Sequence, residues 1–370
     1  MTGRVLVVGA GAIGLAVAWR AAGAGMDVTV VDDAPGRGAS WAAAGMLAPV
    51  TEVHYGEEDL LRLNLAAAQG YPGFVDELKD ASGLDAGYRS CGMVAVARDA
   101  DDNASLGDLF AFQRELGLQV ERLTAREVRE LEPALAPGVR GGVLVEGDHQ
   151  VDSRALVAAL LEACRRAGVA HRASRVAALR GPEHIELADG GVLGADAVVL
   201  CAGCWSNDIE GLPRDALPPV RPVKGQLVHL KGPASPALLE RSVRGLDVYI
   251  VPRLDGRVVV GATVEELGFD TRATAGGVFG LLRAAYELAP GIAELELTEI
   301  AVGLRPGSPD NAPIIGPTSC DGVLVAAGHY RNGILLTPVT ADAVVEMLDT
   351  GSVPELVRSF GPDRFERVSA

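Results

Sequence analysis

Aromatic residues are scarce in this chain, with 7 Phe, 6 Tyr and 3 Trp among 370 residues. A core of ordinary density must therefore rest on Ala, Val and Leu. Cysteines number five, an odd count in a long chain, which excludes a disulfide framework and fits a reducing compartment. Cationic residues are outnumbered, 33 Lys plus Arg against 49 Asp plus Glu, for a net charge of −16. That balance argues against nucleic acid and anionic membrane surfaces as partners. The 6 histidines show no H-x-H or H-E-x-x-H spacing, so no metal site is expected. The apolar stretch at 5–19 is shorter than a bilayer span and is broken by three glycines. Because the chain enters that stretch almost at once, no signal peptide is expected, and the reading is a soluble, cytoplasmic protein.

What is plentiful is glycine, 46 residues, with 21 prolines, as suits an α/β protein with many turns, and the length allows two domains or one large two-lobed unit. The stretch at 4–32, RVLVVGAGAIGLAVAWRAAGAGMDVTVVD, organises the rest. Arg4 to Val8 reads as a strand buried on both faces. Gly9, Gly11 and Gly14 follow at G-x-G-x-x-G spacing, with Ala12 and Ile13 between them. A small-residue helix comes next, then a second strand over 27–31 that ends at Asp32. In such a βαβ unit the turn and the helix N-terminus receive a pyrophosphate, and the terminal acid takes ribose hydroxyls. A dinucleotide site follows. The glycines do not choose between FAD and NAD(P), although Asp32 argues against the 2′-phosphate of NADP.

Beyond Asp33, the loop carries Ser40 and the nearly bulk-free run Ala42-Ala43-Ala44-Gly45-Met46. Such a run lets backbone lie against a flat ring or a phosphate, although it also suits a plain small-residue turn. Residues 57–82 predict two helices separated at Pro72-Gly73. Thr124 to Glu127 spells a capping box. A helix is expected from Asp152 or Ser153 to about Ala167, with Gly168 past its end. Strands are expected near 169–180, 184–188 and 196–201. Valine-rich strands near 223–230, 247–252, 257–263 and 296–303 suggest an antiparallel sheet, with a hairpin turn at Asp255-Gly256. A helix over roughly 276–289 should pack on it.

Two dense segments close the chain: Gly303-Leu304-Arg305-Pro306-Gly307, and Gly328-His329-Tyr330-Arg331-Asn332-Gly333-Ile334-Leu335-Leu336. The second follows a strand over 322–327 and leads into a final helix, forming another corner suited to an anion or dipole. Arg305 offers a planar, permanently charged fork for a carboxylate; equally, it suits a brace at a domain junction. Cys201-Ala202-Gly203-Cys204 has redox or metal spacing, but the first Cys ends an apolar strand and no further ligand set accompanies it.

Gly9 to Gly14, Asp32, the S-x-A-A-A-G-M run at 40–46 and the two tail segments resemble the D-amino-acid oxidase superfamily of flavoproteins. Within it they are most similar to the glycine oxidases associated with making the thiazole of thiamine. That resemblance implies an α/β fold in which a Rossmann-type FAD-binding domain is assembled from separated segments (1–86, 146–220 and 305–370). A substrate domain with a mainly antiparallel sheet takes 87–145 and 221–304. It implies non-covalent FAD held by Gly9, Gly11, Ala12, Ile13, Gly14, Asp32, Asp33, Ser40, Ala44, Gly45 and Met46. Val176 would lie near the adenine, and His329, Tyr330, Arg331, Asn332, Gly333, Ile334 and Leu335 would lie against the ring.

The substrate carboxylate would sit on Arg305 and Tyr249, with Arg331 touching substrate or balancing flavin charge, and with Asp247 and Val264 at the amine side. The implied activity is oxidative deamination of glycine or another small amine to the imine, with O2 reduced to H2O2. No general base is identified. Also implied are handover to a thiazole synthase and a homo-oligomer. The alternative is a flavin dehydrogenase for D-amino or hydroxy acids that uses an acceptor other than oxygen.

Overall fold

The computed structural model describes residues 3–368. Its first sheet has six strands in the order Ile314–Pro317, Val323–Ala327, Ala197–Leu200, Arg4–Val8, Asp27–Val31 and Ala170–Arg172. Neighbours run parallel except the outermost Ile314–Pro317, which is antiparallel to Val323–Ala327. Alternation along these strands explains why both faces are covered. Val5, Val7, Val28, Val30 and Val199 point into a core shared with the helices Ala12–Gly23, Glu58–Ser82, Ser153–Arg166 and Thr337–Thr350. Leu6, Val8, Val31, Val198 and Leu200 point the other way, against the small three-stranded sheet at 176–193. Near-continuous β-branched runs are what a parallel strand with two dry faces requires.

The second sheet has eight strands, in the order Glu296–Gly307, Arg221–Lys231, Arg257–Gly261, Tyr249–Pro252, Ser242–Arg244, Met93–Ala97, Gly141–Val145 and Glu121–Thr124. Its pairings are antiparallel save one, Ser242–Arg244 beside Met93–Ala97. Leu281, Ala285 and Leu288 of the helix Ala275–Leu288 pack on one face, with Val228, Leu230, Val258 and Val260. The opposite face brings Leu227, Val251, Val259 and Tyr249 against Ala42, Ala44 and Met46. The small-residue run is thus pressed between the two sheets.

Two expectations are corrected, the pair of helices at 57–82 and the single strand at 169–180. Residues 58–82 form one helix with Pro72 inside it, not two. An interior proline costs about 3 kcal/mol. Here Leu60, Leu63 and Ala67 before it and Phe74, Val75 and Leu78 after it all enter the same core, which outweighs that loss. The expected hairpin at Asp255-Gly256 forms, with a left-handed residue at Gly256, φ +87°. A Cβ on Gly256 would also overlap the Gly232 carbonyl oxygen. The region 169–180 is two strands in different sheets, Ala170–Arg172 beside Asp27–Val31 and Val176–Leu179 beside Ile185–Leu187. The Thr124 capping box forms with both of its reciprocal bonds. Asp152 caps its helix by accepting from the backbone N–H groups of Arg154 and Ala155. Among the described residues no helix is long and apolar enough to cross a membrane.

Candidate functional site

A cavity of about 680 Å³ runs from the Gly9 turn, between the sheets, to Arg305. At its first end the helix Ala12–Gly23 starts at Gly11 with no side-chain cap on that residue. Ser40 instead accepts from the Ala12 N–H, 2.9 Å away. Gly14 does not line the cavity; it is the contact point of helix and turn, where any Cβ would overlap the Gly9 carbonyl oxygen. Asp32 accepts from the N–H groups of Ala10 and Ala34, each at 2.7 Å. It therefore fixes the turn with one lone pair on each oxygen, and its remaining lone pairs are free for hydroxyl donors. Asp33 pairs with Arg175 at 2.6 Å.

Gly9, Gly11, Ala12, Ile13, Asp32, Asp33 and Ser40 all line this end. Ala44, Gly45 and Met46 line the middle, and Val176, His329, Tyr330, Arg331, Gly333 and Ile334 also face the cavity. Two residues expected at the ring do not line it: Asn332 is buried, and Leu335 belongs to the core beneath the final helix. His329 is buried with Nε2 3.1 Å from the Thr340 hydroxyl. Burial pushes its pKa down to about 3, so the ring is neutral.

At the far end Arg305 leaves the strand Glu296–Gly307 and donates through Nη1 to the carbonyls of Thr263 and Lys224, at 3.1 and 3.5 Å. Among the described residues no carboxylate pairs with it, so a brace through an Asp or Glu is not formed. Gly225, two strand positions from the Arg305 partner Val223, leaves the space that the guanidinium occupies. Burial raises the Tyr249 hydroxyl's pKa, Arg305 and Arg244 oppose that rise, and Glu52 adds to it. Tyr249 therefore lies within the fields of all three charges.

The sequence reading missed the group facing it. Glu52 lies 2.5 Å from Nη1 of Arg244 and 3.9 Å from Nε of Arg331. Arg331 also pairs with Glu57. Arg331's charge is thus already met by carboxylates, whereas that of Arg305 is not. Glu52, His54 and Arg244 all line the cavity; their only sequence signal is that Glu52 and His54 follow the Ala-rich run closely. Asp247 and Val264 line it as well, with Asp247 also 3.2 Å from Arg98. Cys201 and Cys204 are free, and burial pushes both thiols up to about 12, far from the thiolate that redox or metal chemistry needs.

These features suit an extended dinucleotide with a flat ring. The helix start is open, glycine contacts bring backbone close, and the middle of the cavity is nearly free of side-chain bulk. The family described as FAD dependent oxidoreductase matches residues 4–347. A glycine oxidase of Geobacillus kaustophilus is 35% identical over 93% of this chain and 92% of its own. A bifunctional protein ThiO/ThiG of Synechocystis is 35% identical over 98% of this chain, which spans only 54% of that relative's length. The crystal structure of glycine oxidase from Geobacillus kaustophilus superposes with a TM-score of 0.91 at 33% identity, covering 98% of this chain and 99% of that one.

Proposed function

The chain belongs to the FAD-dependent oxidoreductase family, and from that premise we propose that it oxidises the amine of a small amino acid, glycine or a near analogue, to the imine, with O2 as electron acceptor. The observation that carries this reading is Arg305: a cation without a carboxylate partner, beside Tyr249, in the cavity that begins at the nucleotide turn. FAD, when bound, supplies the two-electron acceptor. Gly9, Gly11, Ala12, Ile13, Asp32 and Ser40 would hold its nucleotide half, and Ala44 to Met46 with 329–334 would face its ring.

The protein's own contribution is orientation. Arg305 gives a bidentate fork and Tyr249 a hydroxyl donor, so a carboxylate placed there fixes the α-carbon relative to the ring. Each charge-assisted bond contributes about 1.5–3 kcal/mol, enough to orient a ligand as small as glycine. The charge of Arg331 is held by Glu52 and Glu57, so we assign it to shaping the pocket beside the carboxylate site. The two groups of segments that feed the two sheets support a division into FAD-binding and substrate-binding domains at the boundaries given above. Five free cysteines support a reducing, cytoplasmic location. Relatives that carry ThiO and ThiG in one chain support handover of the imine to a thiazole synthase, and a homo-oligomer is part of the same proposal.

The test is peroxide formation with a panel of small amines, using wild type and Arg305→Ala. The glycine KM should rise about 10- to 100-fold in the variant, the loss of one or two kcal-scale bonds, with FAD content unchanged. Unaltered kinetics would remove Arg305 from the site. Dye reduction without peroxide would favour the dehydrogenase alternative.

A further inference from the structure

Arg253 is a buried cation, 6% exposed, that lies outside the cavity and takes no part in the reading above. Its Nη1 donates to the Gln150 side-chain oxygen and its Nη2 to the Ala44 carbonyl, both at 2.5 Å. The nearby carboxylate of Asp152 is engaged elsewhere, 2.6 Å from Arg257 and bonded to its own helix start. Among the described residues no acid pairs with Arg253. Desolvating a buried charge costs several kcal/mol, and Asp152 and Asp255 offset that through space only, without a direct ion pair, so its retention at this spot calls for a reason.

The reason lies one peptide away. The Ala44–Gly45 bond is trans, so its N–H points opposite to its C=O. The C=O points at Arg253, so the Gly45 N–H points away from Arg253, and Ala44 and Gly45 both line the cavity. We propose that Arg253 is a positioning residue that polarises this peptide, turning the Gly45 N–H into a charge-backed donor toward the FAD ring and favouring the electron-rich form of the cofactor. Linked hydrogen bonds strengthen one another in a low-dielectric interior, and a full charge behind the carbonyl acts in the same sense. Gln150, whose strand pairs with Met46, fixes the guanidinium in the required plane. The inference rests on the binding of FAD but not on which amine is oxidised.

The experiment compares FAD-loaded wild type with Arg253→Met, Arg253→Gln and Arg253→Lys. It reads the midpoint potential of bound FAD and the dissociation constant of its sulfite adduct, neither of which uses an amine substrate. Loss of charge in the Met and Gln variants should shift the oxidised-to-reduced equilibrium at least tenfold toward oxidised, about 30 mV for a two-electron couple, and weaken sulfite to a similar degree. The Lys variant should stay within about threefold of wild type by the same measure. Should the Met variant fail to retain FAD, the contrast between Gln and Lys decides alone. Wild-type potentials in both neutral variants, or equal shifts in Lys and Gln, would overturn the proposal and leave Arg253 as a packing residue. Because no amine enters the measurement, its failure is separable from failure of the oxidase reading.

Discussion

A Cβ atom on Gly225 would stand 2.5 Å from Nη1 of Arg305. The missing side chain of one strand is therefore the seat of the guanidinium on the next, and the two positions form one unit. Gly225→Ala should push the fork off its axis while leaving its charge in the cavity. The expected result is a glycine KM raised about tenfold, the weight of one impaired charge-assisted bond, with normal FAD content. Steady-state peroxide assays at several glycine concentrations check it, and an unchanged KM would show that Arg305 relaxes freely.

Gly14→Ala tests the other end of the cavity. The added carbon would overlap a backbone carbonyl, that of Gly9, which cannot rotate away as a side-chain tip can. Helix and turn must separate, and the open N–H groups at the helix start lose their aim. FAD affinity should fall at least tenfold, about 1.4 kcal/mol or more, read from the absorbance ratio of purified protein and from reconstitution titrations. Full FAD occupancy at wild-type affinity would contradict this account of the turn.

Two buried groups set opposite responses to acid. His329 has its pKa pushed from 6.5 down to about 3. As pH falls through 6.5 the unfolded chain takes up a proton there that the folded chain refuses, so stability declines. Asp148, wholly buried and accepting from the N–H groups of Val50 and Thr51 at 3.1 and 2.7 Å, has its carboxyl pushed up from 3.8 to about 7. Its folded form holds a proton before the unfolded one does, so its contribution is complete below about 4 and lost as pH rises through 7. Asp148→Asn removes that gain and leaves the histidine term. Its urea midpoint should therefore fall more steeply than wild type between pH 7 and pH 5; parallel slopes would mean that Asp148 titrates alike in both states.

The nucleotide half was legible because its signals are local. The glycine spacing, the valine runs on either side and Asp32 all lie within 4–32, and the capping box at Thr124 is likewise a matter of four residues. What escaped was non-local. Met93–Ala97 finds its partners in Gly141–Val145 and in Ser242–Arg244, and no local period announces either. The continuity of the helix through Pro72 depends on a core contributed by distant segments. Glu52 meets Arg244 across nearly two hundred residues of chain, and Arg253 reaches Ala44 across a similar gap. Side-chain charge is visible in a sequence; which charge neutralises which is decided by the fold.

The six-stranded sheet places Ala197–Leu200 between Arg4–Val8 and Val323–Ala327. The first long helix, Ala12–Gly23, packs beside the helix Thr337–Thr350. During synthesis the glycine turn thus leaves the ribosome long before the strand and helix that close its layer. Until residues beyond about 350 emerge, the nascent molecule has an open strand edge and an uncovered apolar helix face, surfaces that invite wrong pairing. FAD binding by this protein is accordingly a late event in its birth, and a ribosome that stalls near residue 300 leaves a chain with the nucleotide signature but no closed sheet to support it.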